Sequence, residues 1–138
     1  MCIRDRINRV DHIGIAVSSL EESIPLFEKL LGTRLNKREV VDSQKVEAAF
    51  FKVGGGTIEL LAPTSHDSQI QKFIKKKKEG VHHIALNVSS IEQEMKRLEK
   101  NGFEFVSKTP IIGANNKKIV FLHPKSTNGV LVEICEDT

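Results

Sequence analysis

The chain has 138 residues, enough for one domain or for two half-size modules sharing a core, and its 39% apolar content suffices for a packed interior. A net charge of +3 and the absence of Trp and Tyr for base stacking point away from nucleic acid, and no apolar run approaches the ~20 residues of a membrane span. The two cysteines, Cys2 and Cys135, stand at opposite ends without ligand spacing, which predicts a reduced, cytoplasmic protein free of disulfides.

Residues 1–6 are too short for a transit peptide and lack the apolar stretch of a secretory signal, so they read as an extraneous or disordered leader. Residues 7–138 read as a single domain. Residues 8–17 alternate as a strand, with Ile13, Ile15 and Val17 on one face and His12, Gly14 and Ala16 on the other. Ser19 and Glu22 then have capping-box spacing, opening a helix that carries Leu20, Ile24, Phe27, Leu30 and Leu31 as its stripe. Pro25 lies inside it as a kink point, and Gly32 stops it. Residues 34–40 form a weak, edge-like strand candidate. Val46–Val53 and Thr57–Leu61 are stronger, joined by a hairpin turn at Gly54-Gly55-Gly56.

A linker at 63–67 and a connecting helix at 68–79 follow. The helix ends in Lys75-Lys76-Lys77-Lys78, which is either a solvated helix end favoured by the macrodipole or an attractor for an anionic substrate. The pattern then starts again. His83 stands to His12 as Val88 to Val17, Ser89-Ser90 to Ser18-Ser19, and Glu92 to Glu21, at a constant offset (83 − 12 = 71). In this second copy Ile84, Leu86 and Val88 face the core, while His83, Ala85 and Asn87 share the face of His12. The same alternation turns His82 away. Ser90 and Gln93 open a helix bearing Ile91, Met95 and Leu98 and ending near Asn101-Gly102. Strands are expected near 103–107, 117–122 and 129–135. The order is βαβββ (module one, 7–63), a linking helix (64–79) and βαβββ (module two, 80–136), an α+β protein with two tandem modules.

Two related modules with a His on each opening strand are a way to build a metal site from a duplicated scaffold. Glu59 and Glu133 strengthen that expectation. Each is a carboxylate in the middle of an apolar strand, costly unless paired or bound to a cation, and each lies on the last strand of its module. His12, Glu59, His83 and Glu133 together suit a divalent ion such as cobalt, manganese, nickel or zinc. Glu47, on the strand next to that of Glu59, is a candidate general base or else an exposed strand residue.

The sequence resembles the methylmalonyl-CoA epimerases of the vicinal oxygen chelate (glyoxalase/bleomycin-resistance) superfamily over about residues 7–136. The resemblance is carried by Asp11-His12-Ile13, Thr57-Ile58-Glu59-Leu60-Leu61 and Glu79-Gly80-Val81-His82-His83-Ile84-Ala85, with Gly113-Ala114. Phe121-Leu122-His123-Pro124-Lys125-Ser126 and Gly129-Val130-Leu131-Val132-Glu133 add the more particular part. It implies paired βαβββ modules in a cupped, incompletely closed mixed β-barrel, usually as a homodimer. It also implies one divalent metal ion per chain, cobalt first among the alternatives, on His12, Glu59, His83 and Glu133, although some epimerases have Gln in place of Glu59. The implied reaction interconverts (R)- and (S)-methylmalonyl-CoA through a metal-stabilised enolate, with Glu47 and Glu133 as acid–base groups on opposite faces of C2. His123 is expected to be structural, and Lys125 and the Lys75–Lys78 run are candidates for the coenzyme A phosphates. Lactoylglutathione lyase (glyoxalase I) and a metal-free small-molecule-binding module of the same fold are the alternatives.

Overall fold

The computed structural model describes residues 7–138; the expected leader at 1–6, with Cys2, lies outside the described residues. The chain divides into two compact units, His12–His82 and a second formed by His83–Thr138 with residues 7–11. Both divisions fall immediately before one of the two repeated histidines.

In the unit His12–His82 the strands lie in the order β2 (Lys37–Val41), β3 (Val46–Val53), β4 (Gly56–Pro63) and β1 (Arg9–Ala16). β2, β3 and β4 run antiparallel, and β1 runs parallel to β4 with Gly14 opposite Glu59. A parallel neighbour needs a crossover, and α1 (Leu20–Leu31) begins it. Ser19 caps this helix by accepting from the Glu22 N–H at 3.3 Å, and Gly32, at φ 68°, ends it with its N–H on the Glu28 carbonyl. α1 continues as one helix through Pro25. Leu20, Ile24, Phe27 and Leu31 pack with Ile15, Val17, Ala49, Phe51 and Leu60 as the core under the helix. Leu30, expected in that stripe, is 70% exposed beside Leu26 at 62%. Spacings of four, three and four from Leu20 already complete the buried face with Leu31, which leaves Leu30 on the outer flank. α2 (Gln69–Lys77), capped by Ser68, packs against β4.

The second unit repeats the plan with β5 (Gly80–Asn87), β8 (Val132–Glu136), β7 (Lys118–Phe121) and β6 (Ile111–Ile112) in that order, β8 parallel to β5 and the others antiparallel. α3 (Ile91–Lys100) is capped by Ser90, and its Ile91, Met95 and Leu98 join Val88, Val120, Leu122 and Ile134 in the core.

One expected strand is displaced. Residues 103–107 make only an isolated bridge, Phe105 with Leu122. Two backbone bonds tie the segment down: His123 N–H to Glu104 C=O at 2.7 Å and Val106 N–H to Phe121 C=O at 2.9 Å. The chain then turns at Ser107–Thr109, where the Ser107 hydroxyl bonds the Thr109 backbone, and the two-residue β6 completes the edge. Alternating hydrophobicity cannot register such a break, because the turn residues are ordinary and the pairing partner lies far along the chain.

Candidate metal centre

Strand parity assigns the faces. In the unit His12–His82, Ile13, Ile15 and Val17 point with Ile58 and Leu60 toward α1. His12 and Gly14 therefore share the opposite face with Glu59, which pairs with Gly14 on one side and Phe50 on the other. His12 and Glu59 are 7% and 5% exposed, and His12 Nε2 stands 3.5 Å from Glu59 Oε2. In the second unit Ala85 pairs with Glu133 and Glu133 with Phe121, so His83, Glu133 and Phe121 share the face opposite α3. His83 and Glu133 are 5% and 4% exposed, and His83 Nε2 stands 3.4 Å from Glu133 Oε1.

Each unit thus carries a buried imidazole nitrogen aimed at a buried carboxylate oxygen on its helix-free face. The separations bear on what the pairs can hold. Ligand atoms roughly 2.1 Å from a common ion lie about 3.0 Å apart at a right angle and about 3.4 Å apart at the tetrahedral angle. Separations of 3.4 and 3.5 Å match two neighbouring ligands of one ion and are long for a direct N–H···O bond. Nitrogen and carboxylate donors without sulfur suit zinc, cobalt, nickel or manganese. The residues present fit a divalent ion.

Phe121 is a contributor that the motif contained but whose role the sequence did not disclose. Its ring meets His83 edge-on, with centroids 5.8 Å apart and planes at 90°, and so limits the tilt of the imidazole. Counting along β7 from a register with Glu133 would have found it.

Glu47 is not gathered with these residues. It pairs with Ala62, three residues along β3 from Phe50, so it points to the face of Ala49 and Phe51 rather than that of Glu59. Its two oxygens accept from Arg38 Nε at 3.0 Å and from an Arg38 terminal nitrogen at 3.1 Å, and the same nitrogen reaches Glu21 of α1 at 3.3 Å. Hydrogen bonds first from Glu47 and then from Glu21 raise the Arg38 pKa.

The adjacent histidines separate as their parity requires. His82 turns to α2 and meets the Phe73 ring edge-on at 5.0 Å. Burial pushes its pKa down from 6.5 to about 4. Between those values the unfolded chain takes up a proton that the folded chain refuses, so this contribution is intact above pH 6.5 and is lost as the pH falls toward 4. Urea unfolding should show the parent losing about 2–3 kcal/mol more stability than His82→Leu between pH 7 and 4.5. Equal losses in the two proteins would exclude His82 as the source.

Other expected positions are peripheral. His123 Nδ1 accepts from the Lys125 N–H at 3.2 Å and caps the short 3-10 turn Pro124–Ser126. Lys125 pairs with Glu104 at 2.7 Å, and Lys75–Lys78 are exposed. Cys135 is buried, which pushes its thiol pKa up. Among the described residues no helix is long and apolar enough to cross a membrane.

Comparison with known proteins agrees with this architecture. Residues 11–121 match the model of the Glyoxalase/Bleomycin resistance protein/Dioxygenase superfamily. An uncharacterized protein, YqjC of Bacillus subtilis, is 42% identical over 130 residues, 94% of this chain and 93% of its own. The ethylmalonyl-CoA/methylmalonyl-CoA epimerase of Cereibacter sphaeroides is 35% identical over 130 residues, covering 93% of this chain and 97% of its own. A variant of Streptomyces coelicolor methylmalonyl-CoA epimerase, solved with 2-nitronate-propionyl-CoA, superposes with a TM-score of 0.90 at 32% identity over 96% of each chain. The chain belongs to the Glyoxalase/Bleomycin resistance protein/Dioxygenase superfamily, among relatives that are methylmalonyl-CoA epimerases.

Proposed function

We propose that the protein epimerises methylmalonyl-CoA at C2, with His12, Glu59, His83 and Glu133 holding one divalent ion. The observation that carries this reading is the repeated buried His–Glu pair, at ligand-like separation on the helix-free face of each unit. When bound, such an ion acts as a Lewis acid on the carbonyl oxygens flanking C2 and so eases loss of the C2 proton. Each of the four side chains is itself buried, and burial strengthens the electrostatic contact within each His–Glu pair.

Inversion needs proton transfer on two faces of C2. Glu133 is the group for one face: a carboxylate has two oxygens, so engaging one as a ligand leaves a second that can carry a proton. Glu47 is the group for the other face. Its support is the sequence resemblance alone, since Arg38 holds it at the other side of β3. A homodimer in the cytoplasm with cobalt as the preferred ion belongs to the same reading.

Incubating the purified protein with methylmalonyl-CoA in deuterated buffer tests the proposal. Mass spectrometry should show deuterium at C2 at the rate of epimerisation, EDTA should stop it, and cobalt should restore it. Absence of exchange, or exchange indifferent to EDTA, would refute the metal-dependent reaction. A parallel arm with a glutathione hemithioacetal should show no turnover.

A further inference from the structure

The second unit contains a partly buried ionic network, centred on a buried Asp11, that the proposed chemistry does not use. Asp11 is 5% exposed, and both its oxygens accept from Lys117 Nζ, at 2.7 and 2.8 Å. Asn87, 2% exposed, adds a donor at 3.4 Å, and Arg9 adds one at 3.5 Å. Asn87 is itself oriented by Asn8, whose Nδ2 donates to its Oδ1 at 3.0 Å. Asp137 flanks the network, 3.5 Å from Lys117 and 3.9 Å from Arg9. Burial lowers the Lys117 pKa, but the hydrogen bond and charge of Asp11 outweigh it, and the ammonium ends above its ordinary value.

Lys117 is delivered by a closed turn. Its N–H donates to the Ala114 carbonyl at 3.2 Å, and its carbonyl accepts from Gly113 N–H at 2.8 Å. Asn115 and Asn116 take φ of 58° and 57°, a conformation that asparagine tolerates better than most residues. Such an arrangement is hard to explain by stability. Replacing a buried ion pair with apolar groups of similar shape is often neutral or stabilising, and the best-attested use of such pairs is to fix register. What this pair fixes is the residue immediately before His12. Donors converge on the Asp11 carboxylate from three residues, which fixes its direction; because successive side chains leave a strand on opposite faces, it also fixes where the next one points.

We propose that Asp11 and Lys117 form an anchor that positions the imidazole of His12 for metal binding, an inference that rests on the metal reading above. Both are positioning residues and need touch neither ion nor substrate. The test is a cobalt titration of the whole protein followed by visible absorption, with thermal unfolding of the metal-free protein in parallel. Lys117→Met removes the nearest partner of the Asp11 charge, so Asp11→Asn/Lys117→Met, which removes both charges, is included as the variant that keeps the fold. The double variant should bind cobalt about tenfold or more weakly, the effect typical of losing the groups that orient a metal ligand, and Lys117→Arg should recover most of the affinity. A merely structural pair would change the unfolding temperature and leave cobalt affinity unmoved. Cobalt affinity in the double variant within about twofold of the parent would overturn the anchor while leaving the metal reading intact. A parent protein that binds no cobalt would overturn both.

Discussion

His83→Ala is expected to leave a folded protein that no longer retains cobalt through dialysis and turns over methylmalonyl-CoA at least about 10³-fold more slowly. The magnitude follows from the several kcal/mol that a Lewis-acid ion supplies to a developing charge, at about 1.4 kcal/mol per factor of ten. His83 is 5% exposed, 3.4 Å from Glu133 and set edge-on against Phe121. Its loss therefore removes a proposed ligand and leaves Glu133 buried beside a gap. His82→Ala is the matched control, one residue away on the opposite face. It should lose stability through its contact with Phe73 yet keep metal and turnover in the protein that remains folded. Metal content near parental in His83→Ala, measured by elemental analysis, would remove the second unit's half of the proposed centre.

With Glu47 in the acid–base role that the sequence resemblance implies, Glu47→Gln should keep the metal and lose about 10²–10⁴-fold in turnover, the usual cost of removing such a group. Direction-resolved exchange sharpens the result. Loss of one of two proton-transfer groups should slow epimerisation from both epimers but impair C2 deuterium exchange unequally, because each epimer presents its proton to a different face. Near-parental turnover would eliminate Glu47 and return both proton transfers to the carboxylates of the His–Glu pairs. Arg38→Met separates the two ways Glu47 could matter. If the Arg38 contacts at 3.0 and 3.1 Å serve only to hold the sheet edge to α1 through Glu21, the variant loses stability and keeps its rate. A change in rate at unchanged stability would show that Arg38 controls the carboxylate.

Much of this molecule can be read without coordinates because its information is local or repeated. Helix starts were legible at Ser19 and Ser90, where a side-chain oxygen and an N–H three residues on satisfy each other. The face of His12, and the choice of His83 over His82, followed from the period of two along one strand. The repeat at an offset of 71 (83 − 12) made each inference in one half a check on the other.

Relations between strands were not legible. The face of Glu47 depends on its register with β4, and that register is set by how many of the three glycines form the turn. Pairing of Val53 with Gly56 leaves a two-residue loop, which puts Phe50 and not Glu47 on the side of Glu59; a loop one residue longer would have reversed the two. Nor could the sequence join Asp11 to Lys117, which lie 106 positions apart, or break the strand expected at 103–107. Reading the chain alone was enough for the helix caps, which rest on spacing within a few residues, and, through the 71-residue repeat, for naming His12, Glu59, His83 and Glu133 as ligand candidates. Which carboxylate meets which imidazole, where Glu47 points and what holds the residue before His12 emerged with the folded chain. Those contacts depend on hairpin register and on side chains brought together from distant parts of the chain, and no local pattern encodes them.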